Sequence, residues 1–247
     1  MTVLGVIGGT GLEQLAGIAR VGTHQIKTPY GCTSREIEEA QLHGKSIFYL
    51  HRHGAPLQIA PHDINYRANL WALRSLGVSH VIGCNAVGGI HPEMQTGALV
   101  LPDQVIDYTW GREHTISGAE GADLLHIDFT LPYDDGLRKA IQRAAIAIKI
   151  ALCESAVHGV TQGPRLETAA EIRRLESDGC DVVGMTGMPE AAVARELGLA
   201  YACVCMVVNS AAGKGAQALS MADIHDALKV HTAVVAKLLG KVLSDTF

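Results

Sequence analysis

Short apolar runs alternate along this chain with stretches in which apolar residues recur every three or four positions. VLGVIG at 3–8, SIFYLHR at 46–52, HVIGCNA at 80–86, AVHGVTQ at 156–162, DVVGM at 181–185 and YACVCMVVN at 201–209 are rich in β-branched residues and end in glycine or polar clusters. Such runs predict strands. Between them the helical period predicts helices over 65–76, 137–152, 168–177 and 189–197, and a last one from Met221 onward. Ser220 is a good N-cap for that last helix, with Asp223 completing an approximate capping box. Along it Ile224, Leu228, Val235, Leu238 and Val242 form one apolar stripe that must pack on a sheet.

Strands alternating with helices predict an α/β fold. No internal repeat, Pro/Ser linker or low-complexity segment marks a boundary, and 247 residues suit one domain spanning 1–247. The glycine-rich polar stretch 111–123 reads as a surface loop.

Charge and composition narrow the function. A formal net charge of −5 without any Lys/Arg run argues against nucleic-acid and anionic-membrane partners, both of which need a dense cationic footprint. No apolar run reaches the roughly 18 residues that span a bilayer, and the opening MTVLGVIGG has no basic leader, so a soluble cytoplasmic protein is expected. The scattered Cys32, Cys84, Cys153, Cys180, Cys203 and Cys205 read as buried free thiols. Cys203 and Cys205 share one face of a strand, but no second ligand pair has zinc-like spacing, so no metal site is expected.

Polar and glycine-rich residues gather where predicted strands end. Gly8-Gly9-Thr10-Gly11 lets backbone N–H groups approach an anion, with the Thr10 hydroxyl as a further donor. Arg52-His53-Gly54 brings a guanidinium fork and an imidazole out of the next strand, a pair suited to phosphate. Asn85-Ala86-Val87-Gly88-Gly89 can line a crevice at the carboxyl edge of a sheet. Gly163-Pro164-Arg165-Leu166-Glu167-Thr168 puts a carboxylate at a helix start, Val183-Gly184-Met185-Thr186 supplies a hydroxyl, and Asn209 closes the last strand. Each motif alone is also what a tight turn or helix cap requires. Together, Thr10, Arg52, His53, Ala86 and Thr186 form an anion set, and Glu167 and Asn209 a polar ring.

At these residues the chain resembles the trimeric nucleoside phosphorylase family of purine nucleoside and methylthioadenosine phosphorylases. The resemblance spans nearly the whole chain and rests on Ile7-Gly-Gly-Thr-Gly-Leu12, Arg52-His-Gly54, Asn65-Tyr-Arg-Ala-Asn-Leu-Trp-Ala-Leu73, Asn85-Ala-Val-Gly-Gly89, Gly163-Pro-Arg-Leu-Glu-Thr168 and Val183-Gly-Met-Thr186 followed by Pro189-Glu190. It implies a central mixed sheet flanked by helices and a homotrimer whose active sites are completed by a neighbouring subunit. Inorganic phosphate would be co-substrate, with no metal or organic cofactor. Thr10, Arg52, His53, Ala86 and Thr186 would hold the phosphate, Met185 would pack on the ribose, and His126 would be lent to a neighbour's 5′ site. Phosphate beneath C1′ would be the nucleophile, and Asn209 would stabilise the departing base.

The base site is of the 6-oxopurine kind: methylthioadenosine phosphorylases carry an aspartate-rich site and a small hydroxyl residue where this chain has Glu167. An O6 acceptor needs a donor, which an Asn209 amide provides and an ionised Asp does not. Met221 and Ile224 match positions that contact a methylthio group, a thioether being well packed by Met. His225 lies near the position of a histidine that holds the 5′-hydroxyl in 6-oxopurine enzymes. An oxopurine site with an apolar 5′ pocket implies 5′-methylthioinosine as substrate. Inosine or guanosine phosphorolysis and methylthioadenosine phosphorolysis are the alternatives.

Overall fold

Strand β10 (Ala200–Ser210) is almost wholly buried, as its unbroken apolar run requires, and it pairs in parallel with the ten-residue β5 (His80–Gly89) at the centre of the sheet. The computed structural model describes residues 3–8, 19–42, 44–54, 59–118, 124–215 and 221–247, except for the side chains of Leu42 and 221–230. Among these, β1 (Leu4–Gly8) lies parallel to both β5 and β4 (Lys45–His51), and β2 (Ala19–His24) and β3 (Ile37–Leu42) extend that edge antiparallel. On the other side β9 (Val182–Gly184) pairs antiparallel with the end of β5, then parallel with β8 (Val157–Val160), which pairs with β7 (Gln104–Asp107). The short β6 (Leu99–Val100) borders β10. The mixed sheet flanked by helices agrees with the expected α/β fold.

The register creates the crevice. Residues 80–84 of β5 face β1, whereas Gly88 and Gly89 face β9. The sheet therefore changes neighbour beyond Gly8, the kind of switch point at strand carboxyl ends where α/β proteins bind ligands.

Helices cover both faces. On one side α1 (Tyr66–Ser75) and α4 (Glu190–Glu196) pack over a core that includes Leu70, Leu73, Val81, Ala191 and Ala194. On the other, α2 (Asp135–Ala147) and α5 (Met221–Thr246) bury Leu137, Ile141, Val235, Leu238 and Val242 against Val204 and Met206. The stripe expected on the last helix is thus buried where its side chains are described. Helix α3 (Ala169–Ser177) packs through Ile172 and Leu175 beside Val183.

Helix α2 ends five residues before the expected 152. Ile148 caps the helix, Lys149 adopts φ 56°, and Ile150 and Leu152 beyond this turn pack, like Ile148, partly buried against the core outside the helix. Their spacing of two suits such a segment as well as it suits a helix. Ser220 lies outside the described residues.

Candidate active site

Strands β4, β5, β9 and β10 and the segments that follow them deliver residues to one cavity of about 270 Å³ near the switch point. Arg52 and His53 follow β4, and Ala86, Val87 and Gly88 belong to β5. Met185 and Thr186 follow β9, Glu167 precedes α3, and Val208 and Asn209 come from β10. Two consecutive β10 residues face the cavity because the register with β5 slips between Val207 and Asn209. Such a bulge re-aims a side chain. Gly88, opposite Asn209, leaves the amide its space: a Cβ there would sit 3.3 Å from Asn209 Nδ2.

The capping of α3 fixes the approach of Glu167. Thr168 Oγ1 accepts the Glu171 N–H at 3.1 Å, Glu171 accepts the Thr168 N–H at 2.7 Å, and the Arg165 guanidinium grips the same carboxylate. Glu167 Oε1 in turn accepts the Thr161 hydroxyl at 2.6 Å. Its second oxygen has an acceptor's capacity to spare. The Asn209 amide donates to the Ser210 carbonyl at 2.7 Å, which occupies one of its two N–H groups.

Arg52 is not the free fork that the sequence suggests. It is 1 % exposed, and Nε and Nη2 bind both oxygens of Glu190 at 2.7 and 2.8 Å. Nη1 donates to Cys84 O and Nη2 to Ile7 O. Four of its five N–H groups are engaged, leaving one on Nη1 for a ligand. Glu190 also accepts the Tyr201 hydroxyl at 2.8 Å. Gly83 is required beneath this network, because a Cβ there would overlap Tyr201 Oη and Glu190. Burial pushes the Cys84 thiol up to about 12, so this lining residue adds no negative charge beside an anion.

His53 Nδ1 lies 2.9 Å from the Ile59 carbonyl, an acceptor only, so Nδ1 carries the proton and Nε2 has no partner among the described residues. Burial lowers its pKa, and neighbouring Arg52 adds to the effect.

The profile of the phosphorylase superfamily matches residues 3–244. The chain belongs to the phosphorylase superfamily. Among relatives of this phosphorylase is the "Probable S-methyl-5′-thioinosine phosphorylase" of Pseudomonas syringae pv. tomato, 49% identical over 244 residues and covering 99% of both chains. A "6-oxopurine nucleoside phosphorylase" of Pyrococcus furiosus is 38% identical, over 97% of this chain and 91% of that one. In three dimensions the phosphorylase is similar to methylthioadenosine phosphorylase from Schistosoma mansoni in complex with adenine. That match has a TM-score of 0.93 and 28% identity, over 99% of this chain and 91% of that one.

The phosphorylase fold thus gathers Arg52, His53, Ala86, Glu167, Met185, Thr186 and Asn209 around one cavity. Thr10 lies outside the described residues, as do the side chains of Met221, Ile224 and His225, whose backbone forms the start of α5. His126 is exposed and does not line the cavity of its own chain.

Three contributors escaped the sequence reading: Glu190 as a role, Thr161 and Arg112. Among the described residues of the expected surface loop 111–123, otherwise exposed or half-buried, Arg112 alone is buried: it is 7 % exposed and donates to the carbonyls of Thr161, Gln162, Met185 and Met188. It thereby ties together the loops that carry Glu167 and Met185. No local pattern separates it from a solvated arginine.

Proposed function

We propose that the protein cleaves 5′-methylthioinosine with inorganic phosphate, releasing hypoxanthine and 5-methylthioribose 1-phosphate. The observation that carries this reading is the meeting of Glu167 and Asn209 with Arg52, His53 and Thr186 in one cavity. Several relatives at 45–49% identity carry the name S-methyl-5′-thioinosine phosphorylase, which supports the choice of substrate.

In this reading Glu167 accepts N1–H of a 6-oxopurine, while Asn209 donates to O6 and accepts from N7 once it is protonated. Phosphate lies beside Thr186, the remaining Arg52 N–H and His53 Nε2, with Thr10 and Ala86 completing its seat. The transition state has positive charge at C1′ and negative charge on the leaving base. The phosphate anion stabilises the first and then forms the new C1′–O bond as the C1′–N9 bond breaks. Asn209 stabilises the second, and preorganised donors of this kind supply much of an enzyme's rate enhancement. Met185 packs on the ribose, and Met221 and Ile224 enclose the methylthio end, with His225 near it.

His126 serves a neighbour's 5′ site within a homotrimer, a role in keeping with its exposure and its distance from its own cavity. The free cysteines, most of them buried, suit a reducing compartment such as the cytoplasm.

The 6-oxopurine relative favours inosine as the second reading. Steady-state kcat/KM for methylthioinosine, inosine and methylthioadenosine, with and without phosphate, separates the readings. A buried methyl-sized gain of about 0.8 kcal/mol and an unpartnered hydroxyl costing about 1–3 kcal/mol give methylthioinosine an advantage of roughly 20- to 600-fold over inosine. Equal turnover of inosine transfers the assignment to the second reading, and base release without phosphate overturns phosphorolysis. Asn209→Asp should lower the methylthioinosine/methylthioadenosine ratio. An unchanged ratio would mean that Asn209 does not read the base.

A further inference from the structure

The face of β10 turned away from the cavity carries a second cluster. Cys203 and Cys205 point to the same side of the strand with their sulfurs 3.5 Å apart, and His158 of β8 brings Nδ1 to 3.9 Å from Cys205 Sγ. Ligand atoms of all three lie within 4.8 Å of one another, and each residue is 0 % exposed.

The surroundings are polar and unsatisfied. His158 Nε2, Tyr133 Oη and both amide atoms of Asn85 are buried without a hydrogen-bond partner among the described residues. Asn85 pairs in register with Cys205, and Tyr133 stacks on Tyr201, which shares the Cys203 face of β10. Buried polar groups are almost always satisfied, so such a concentration of orphans in an otherwise apolar core points to an occupant.

We propose that His158, Cys203 and Cys205 bind one divalent thiophilic cation, zinc, as a structural pin behind the active site. The donor set of two sulfurs and one imidazole is one that zinc accepts. Charge selects the ion further: two thiolates and a neutral imidazole cancel a divalent charge, whereas a cuprous ion would leave a net negative charge in a dry core. Ligands about 2.3 Å (sulfur) and about 2.0 Å (nitrogen) from one tetrahedral zinc stand roughly 3.5–3.8 Å apart, close to the 3.5 Å between the sulfurs and the 3.9 Å from Cys205 Sγ to His158 Nδ1.

Without metal, the contact with Cys205 and burial hold the Cys203 thiol well above its usual range. Binding forms two Zn–S bonds and one Zn–N bond and releases two thiol protons to solvent. The ion would join β8, which leads into Thr161 and Glu167, to β10, which ends at Asn209, so its effect is on the stability of the base-binding wall rather than on a chemical step. No metal is expected from the sequence because no second ligand pair stands at zinc-like spacing. The fold adds the imidazole.

The test is the metal content of wild-type protein expressed in zinc-supplemented medium and dialysed exhaustively, measured by plasma mass spectrometry beside Cys205→Ala and His158→Gln. Stoichiometric zinc in the wild type, at least tenfold above both variants, is expected. Trace zinc, equal in all three, overturns the proposal. Should the variants fail to fold, wild type refolded with Co²⁺ decides. Thiolate-to-cobalt charge-transfer absorption with tetrahedral visible bands supports the site, and a spectrum lacking them leaves the cluster as hydrated thiols and sinks it.

Discussion

Arg52 and Glu190 are each 1 % exposed, so each ion depends on the other for its place in the core. Removing one partner of a buried pair leaves an uncompensated charge at a cost of about 3–5 kcal/mol, whereas replacing both with apolar residues is often nearly neutral. Arg52→Ala should therefore lower stability by about that amount as well as weaken phosphate binding. Arg52→Met/Glu190→Leu should recover most of the stability and none of the phosphate affinity. Denaturant midpoints and KM for phosphate separate the two effects, and an Arg52→Ala midpoint equal to wild type would contradict this account. The place of Arg52 at the cavity was legible because it follows a strand and opens an Arg-His-Gly turn. Its partner was not, because Glu190 lies 138 residues away and only the fold brings them together. Arg112 was hidden for the same reason: its partners are backbone carbonyls, and these leave no trace in residue type.

Helix α3 converts a local signal into a site geometry. Its capping box sits one residue after Glu167, so the first turn of the helix fixes the direction in which that carboxylate leaves the chain. Thr168→Ala removes the cap and should cost about 1 kcal/mol of stability. It should also raise KM for the oxopurine nucleoside more than KM for phosphate. Thermal denaturation and the two KM values check this, and equal changes in both would show that the cap supports only the fold. At this scale the strands that enter the core were legible, since burial on both faces leaves unbroken apolar runs such as 201–208. The β2–β3 edge was not: ARVGTH is exposed at five of its six positions, so burial imposes no pattern on it. Burial did impose a pattern on 148–152, but the end of α2 was set by the turn at Lys149, which the spacing of apolar residues does not encode.

Over the whole molecule, burial lowers the pKa values of His53, His80 and His231. Each therefore prefers to be neutral in the folded state, while an unfolded histidine titrates near about 6.5. As pH falls below about 6.5 the unfolded chain takes up protons that the folded chain resists, so stability is full above that value and declines on acidification. Urea midpoints at about pH 8 and about pH 5 should show the decline, and His231→Asn, which keeps a donor for the Val207 carbonyl, should reduce it. An equal decline in the variant would remove His231 from the account. The assembly gives the larger test. Leu124 is 75 % exposed and Leu125 49 %, immediately before His126, and Trp110 beside Gln162 is 72 % exposed. Apolar side chains left open beside His126, the residue proposed to serve a neighbour's site, are suited to an interaction surface, and the proposed three-fold ring needs two such surfaces that differ, each meeting its complement on the next copy. Leu125→Glu buries a charge in that contact and should shift the protein from trimer to monomer in light scattering, with an unchanged far-UV spectrum. If His126 acts across the interface, the monomer should lose affinity for the nucleoside, and His126→Ala should lose it while remaining trimeric. A wild type that is monomeric ends the trimer reading. A Leu125→Glu monomer with full activity leaves each cavity complete on its own and removes His126 from the site.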